Sequence, residues 1–220
     1  MITFATMARL LSYIYPITKR VKSEINGTLE ITWYNGKKHL NSKNANYSYG
    51  SLQRILKLGL EKLDLKNMNS ILVLGLGGGS VIETLKKDFK YQNQITAVDI
   101  DPQIIAIAKS EFQIESSENL NIICDDALKF VQNTHETFDL IIIDLFIDLN
   151  VPEQFLELSF WEHVLKRKSA SGSILFNASL EKHTSEKLEH IISYLNSHIY
   201  QVDVYKKVNQ TNTVVVGKSL

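Results

Sequence analysis

The chain has 220 residues, 44% of them hydrophobic, enough for one well-buried α/β core with a modest appendage and too few for two full domains. Lys plus Arg and Asp plus Glu are both 24, so the formal charge is zero and no global field would draw in nucleic acid or an anionic membrane. The single cysteine, Cys124, excludes an internal disulfide and a cysteine-based metal cluster, suits a reducing, cytoplasmic setting, and is expected to be a small buried hydrophobe.

The first 22 residues carry Arg9, Lys19, Arg20 and Lys22 without an acid, around Leu10, Leu11, Tyr13, Ile14 and Tyr15. No apolar run there approaches the roughly 18 residues of a membrane span, and no small-residue cleavage site follows, so a docking or dimerising helix is expected. Residues 29–34 and 37–42 flank Asn35-Gly36, a pair that tolerates the positive φ of a two-residue turn, which predicts a β-hairpin. Trp33 and Tyr34 in that hairpin, with the amino-terminal helix, suit either a homodimer contact or packing on their own domain. From Ser51, apolar Leu52, Ile55, Leu56, Leu60 and Leu63 recur at helical spacing, which predicts a helix with one buried face.

From residue 70 onward, short apolar runs at 71–74, 95–98, 121–123, 140–143 and 173–176 alternate with helical stretches at 81–89, 102–112, 127–131, 152–165 and 181–196. Strand then helix, repeated, predicts a parallel sheet covered on both faces. Residues 200–206 and 211–216 lie too close together for a crossover and must pair antiparallel. The expected fold is α/β and Rossmann-like: a mostly parallel seven-stranded sheet ending in an antiparallel hairpin, which resembles class I methyltransferases more than dinucleotide dehydrogenases. Residues 1–46 are expected to form a helix and hairpin appendage, and 47–220 the catalytic domain.

The strongest local feature is the run from Ile71 to Ser80, where a buried strand enters Gly75, Gly77, Gly78 and Gly79 and then a helix. Glycine lets backbone approach a ligand closely, and a helix start offers unpaired N–H groups with partial positive charge. The dinucleotide fingerprint wants a glycine three positions after Gly77, where Ser80 stands, so the spacing favours a mononucleoside ligand over NAD or FAD. Asp99 ends the next strand, 20 residues after Gly79, where a carboxylate can accept from ribose hydroxyls. Capping of the following helix is its alternative role, better assigned to Asp101 before Pro102. Asp126 is the candidate adenine contact and Asp125 or Asp126 the candidate cap, with Ile100 and Ala127 as apolar faces for the ring. Asp144 ends the fourth strand on the same sheet edge, where ligands of open α/β sheets bind. An acid leaving so apolar a strand must be solvated, paired or functional. Asp148 is either a solvated loop acid or part of the site, and the six histidines show no metal-ligand spacing.

These motifs, in this order, resemble the spermidine synthase-like branch of the class I methyltransferase superfold from about residue 47 to 179. Tyr47-Ser-Tyr49-Gly-Ser-Leu resembles the family's tyrosine-containing entry, and Val73-Leu-Gly-Leu-Gly-Gly-Gly79 its glycine motif. Val98-Asp99-Ile100-Asp101 resembles its V-E-I-D element, and Asp125-Asp126-Ala127 its G-D-G/A element. The resemblance implies ribose contact from Asp99, adenine contact from Asp126 and a catalytic role for Asp144. S-adenosylmethionine or its decarboxylated form is the implied donor. Asp144, Asp148 and Tyr49 are the candidate catalytic residues, acting on a small-molecule acceptor such as an amine, with no metal, nucleic acid or membrane partner expected.

Three departures are visible. Ser80 stands where the aminopropyltransferases carry aspartate, the loop Asp144-Leu-Phe-Ile-Asp148 replaces D-S-T-D-P, and the amino-terminal β region is reduced to one predicted hairpin. Methyl transfer is therefore the leading expectation, aminopropyl transfer to a diamine the second, and a non-catalytic cofactor-binding or scaffold protein the third.

Overall fold

Two sheets carry the chain. The computed structural model describes residues 4–42, 46–48, 50–148, 150–179, 182–210 and 212–219. Helix α1 (Phe4–Leu11) leads into strands β1 (Ile17–Ser23), β2 (Gly27–Tyr34), β3 (Lys37–Asn41) and β4 (Asn46–Ser48), which pair antiparallel in that order. Asn35 and Gly36 have φ of 49° and 73°, the left-handed values a two-residue hairpin needs. The predicted hairpin is thus present, but as half of a four-stranded sheet. The basic residues Lys19, Arg20 and Lys22, expected on a docking helix, lie on β1 instead. Ile17, Thr18 and Val21 favour extended backbone, and two of the charges are spent in ion pairs, Lys19 with Glu111 and Arg20 with Glu30, each at 2.8 Å. Met7, Leu10, Leu11, Tyr13, Ile14 and Tyr15 are exposed, while Trp33 lies under the Lys38 ammonium at 5.1 Å.

The second sheet follows the expected alternation. Its elements are α2 (Ser51–Leu60), β5 (Ser70–Leu74), α3 (Ser80–Lys87), β6 (Gln94–Asp99), α4 (Pro102–Phe112), β7 (Leu120–Cys124), α5 (Ala127–Asn133), β8 (Phe138–Ile143), α6 (Leu158–Arg167), β9 (Lys168–Ser179), α7 (Lys182–His198), β10 (Gln201–Val208) and β11 (Asn212–Lys218). The spatial order is β10-β11-β9-β8-β5-β6-β7, parallel from β7 to β9, with β11 antiparallel to both of its neighbours. Strand periodicity sorts the core into two layers. Leu72, Leu74, Ile141, Ile143, Ile174 and Phe176 face α5, α6 and α7, whereas Ile71, Val73, Leu140, Ile142 and Leu175 face α2 and α3. Both faces are covered, so the strands read as continuous apolar runs.

Three expectations need correction or limits. The helix predicted over 152–165 is divided, with a 3₁₀ turn at Glu153–Phe155 before α6 begins at Leu158. Glu157 between them is extended, with φ of −83° and ψ of 140°, which interrupts the helix; the Trp161 indole N–H donates to Phe155 O at 3.0 Å across the break, and its ring packs edge-on against Phe160 and Phe176. Cys124 is exposed, not buried: it ends β7, the outermost parallel strand, at the open edge of the sheet. Glu181 and Thr211, included in the predicted helix and strand, lie outside the described residues.

The four-stranded sheet docks on α4. Leu29, Ile31 and Leu40 bury against Ile104 and Ile107, and Asp101 secures the junction from a position 1% exposed. Its Oδ2 accepts from Ser23 Oγ and, at 2.6 Å, from Asn26 Nδ2, while Oδ1 caps α4 through Gln103 N at 2.8 Å. Asp101→Ala removes the cap and takes the carboxylate acceptor from the buried Ser23 hydroxyl and the half-buried Asn26 amide, so urea unfolding is expected to show a loss of about 2–3 kcal/mol.

Candidate functional site

The carboxyl ends of β5, β6, β7 and β8 meet along one edge, and the glycine loop lies over it. Gly75 has φ of 95°, and a Cβ built there would sit 2.1 Å from the Asp144 carbonyl oxygen. Backbone from the first and fourth parallel strands therefore touches at a position where no side chain fits. Gly77 and Gly79 also have positive φ, and Gly79 ends the loop as the N-cap of α3. Gly78 and Ser80 are buried beside them.

Asp99 grips this loop. Its Oδ2 accepts from Leu76 N at 3.0 Å and Gly77 N at 3.3 Å, and its Oδ1 from Asp101 N at 3.0 Å. Burial raises its carboxyl to about 6, against the pull of those three N–H donors. Asp101 caps α4, as the spacing before Pro102 predicts. Ile100 follows with 46% of its surface exposed, an apolar face at the rim of the loop. Across β6 and β7, Asp126 is the N-cap of α5: Oδ1 accepts from Leu128 N at 2.8 Å and Lys129 N at 3.1 Å. Its Oδ2 accepts from Gln154 Nε2 at 3.1 Å, so the capping alternative holds for Asp126. Ala127 is buried as the first residue of α5.

Asp144 leaves β8 with its backbone N–H bonded to Leu74 O at 2.9 Å. Burial raises its carboxyl to about 6, moderated by one donor, the Asn177 amide, at 2.8 Å from Oδ1. Asn177 is fully buried on β9 and accepts in turn from Asn212 Nδ2 of β11 at 2.9 Å. Asp148 has φ of 55° and accepts from Ser42 Oγ at 2.6 Å, which joins the loop after β8 to the four-stranded sheet. Tyr49 lies outside the described residues, and Tyr47 falls within β4. Sequence reasoning missed Asn177, Asn212 and Gln154. A signal existed for Asn177: one polar residue interrupts the run Ile174-Leu-Phe-Asn-Ala at the same strand edge as Asp99 and Asp144. Among the described residues no cluster of three or more His, Cys, Asp or Glu could hold a metal ion, and no helix is long and apolar enough to cross a membrane.

A family model described as a spermine/spermidine synthase domain matches residues 54–213. A polyamine aminopropyltransferase of Buchnera aphidicola subsp. Acyrthosiphon pisum (strain Tuc7) is 30% identical over 142 residues, which are 62% of this chain and 49% of that protein. The chain thus spans about half the length of the curated relatives it matches first. Among solved structures, a probable spermidine synthase from Corynebacterium glutamicum aligns with a TM-score of 0.68 at 18% identity, covering 93% of this chain and 77% of the other. Human methyltransferase-like protein 13, crystallised with SAH, aligns with a TM-score of 0.65 at 21% identity, covering 78% and 83%. These likenesses establish the fold as that of the class I methyltransferases.

Proposed function

Because the chain belongs to the spermine/spermidine synthase family, we propose that it is a transferase that holds an adenosyl-sulfonium donor over its glycine loop and transfers the donor's methyl group to a small-molecule acceptor. The observation that carries this is Asp99, a half-buried acid clamping the N–H groups of Leu76 and Gly77 beside exposed Ile100. Three of its about four acceptor positions are used by the backbone, so the loop is preformed and the remaining position suits a ribose hydroxyl. Ile100 offers an apolar face to the base, with the Asp126–Gln154 pair beyond it.

When bound, the sulfonium supplies an already activated carbon, so the protein's part is to orient an acceptor in line and manage one proton. Asp144 suits that part: it stands at the strand edge as a carboxylate with a raised proton affinity, able to take the proton an amine gives up as it is alkylated. Methyl transfer is favoured by Ser80 and by the start of α3 that follows the glycine loop. Partial positive charge there suits the carboxylate of an amino-acid arm, and Ser80 provides no acid to hold a cationic aminopropyl arm. Aminopropyl transfer to a diamine is the second reading, supported by the polyamine aminopropyltransferase relative.

Titration calorimetry with S-adenosylmethionine, its decarboxylated form and methylthioadenosine tests both. Tightest binding of the carboxylated donor supports methyl transfer, and tightest binding of the decarboxylated donor supports the second reading. Asp99→Ala is expected to weaken donor binding about a hundredfold, on the order of 3 kcal/mol. Unchanged affinity in that variant would sink the pocket assignment.

A further inference from the structure

We propose that Asn177 is a positioning residue: locked by Asn212, it donates its amide N–H to Asp144 and keeps that carboxylate in one orientation, as an acceptor, at the ligand edge. The inference rests on Asp144 acting at the transfer site, and it adds a pair of residues from the far side of the sheet to that site.

The amide orientation follows from chemistry. An ionised carboxylate only accepts, so Asn177 must present Nδ2 to Asp144 Oδ1. Its Oδ1 is then the acceptor that faces Asn212 Nδ2. Both ends of one planar amide are thus committed, and rotation by half a turn would set donor against donor at Asn212 and acceptor against acceptor at Asp144. Asn177 is 0% exposed between Phe176, part of the aromatic cluster with Trp161, and Ala178, so it has no water to turn to. A fully buried amide is costly unless satisfied, and leucine or valine would serve an ordinary strand of this sheet better. Among the described residues, Asp144 Oδ2 receives no hydrogen bond and no cation pairs with the carboxylate, so Asn177 is its single side-chain partner and Oδ2 is left for an acceptor molecule. The antiparallel strand β11 has a purpose in this arrangement. Lying beside β9, it brings Asn212 within reach of Asn177 across the strand pair.

The test is carbon-13 NMR of the full chain labelled at aspartate carboxyls, with the Asp144 signal assigned as the one missing from Asp144→Asn. Asn177→Leu is expected to raise the Asp144 titration midpoint by about one pH unit, since the donor favouring the charged form is gone. Asn177→Asp keeps shape and the Asn212 bond but places two carboxylates in contact, so the midpoint is expected to rise by about two units or more as the pair shares a proton. Asn212→Ala, at a half-buried position, is expected to give a smaller rise by freeing the Asn177 amide, and it keeps the test available if the core variants fail to fold. Unchanged midpoints in the folded variants overturn the proposal. The acid limb of the transfer rate against pH is expected to move with the NMR midpoint, with kcat falling and donor Kd unchanged. If the wild-type protein transfers nothing from either donor, the proposed function fails, and the titration still decides the role of Asn177.

Discussion

Asp144→Asn is expected to lower the transfer rate by a factor of roughly 10² to 10⁴, the usual worth of a positioned general base, and at the same time to stabilise the protein near neutral pH. The two effects share a cause. Burial lifts the folded-state pKa of Asp144 from 3.8 to about 6, so between those values the folded chain binds more proton than the unfolded one. Stability from this group is therefore greatest below about pH 4, declines as pH rises toward about 6, and stays reduced above. Asparagine removes that charge while its Oδ1 can still accept from Asn177. A gain on the order of 2 kcal/mol is expected at pH 8 and almost none at pH 4, read from thermal unfolding at the two pH values. A variant that loses neither rate nor charge-linked instability would show that Asp144 is a solvated surface acid. Asp99, also raised to about 6, adds a second decline in the same window, so donor binding is expected to weaken below about pH 6 as its carboxylate is neutralised.

Gly75→Ala carries the largest expected structural effect. The position has φ of 95°, and the new methyl would meet the Asp144 carbonyl at 2.1 Å. That neighbour is backbone at the end of β8, held by its own N–H bond to Leu74 O, and has no rotamer by which to retreat. Strain at a left-handed position and overpacking each contribute a few kcal/mol, so denaturant unfolding is expected to show a loss of about 3 to 5 kcal/mol. Donor binding should disappear with it, because relief requires β5 and β8 to part just where the loop is formed. Gly36→Ala is the internal control. Its φ of 73° is also left-handed, but the added methyl meets the end of the exposed Tyr13 ring, which can swing away, so about 1 kcal/mol is expected. Equal losses at the two glycines would contradict the close approach at Gly75.

Several site residues were legible because their signals are local. The glycine run, the acids at the ends of β6, β7 and β8 and the Asp-Pro helix start all lie within a few residues of the backbone they serve. Asp101 capping α4 and the Asn35-Gly36 turn are of this kind. Asp126 illustrates the limit: one aspartate before a helix can serve a cap or a ligand, and Gln154, which occupies its other oxygen, comes from a turn 28 residues away. Cys124 is exposed where its residue type predicts burial, because its burial depends on which strand ends the sheet, and strand order is not written in any single strand.

The sequence by itself determined the alternation of strands and helices, the strand edge that carries Gly75, Asp99, Asp126 and Asp144, and the family to which these motifs belong. Hydrophobic period and turn chemistry act over a few residues and can be read one segment at a time. Only the tertiary structure decided that β11 inserts between β9 and β10, that four strands rather than two precede α2, and that Asn212 and Asn177 stand behind Asp144. Those facts depend on which segments, distant along the chain, bury one another's surfaces. A buried amide's partners are selected by that packing, so its meaning appears when the strands are side by side.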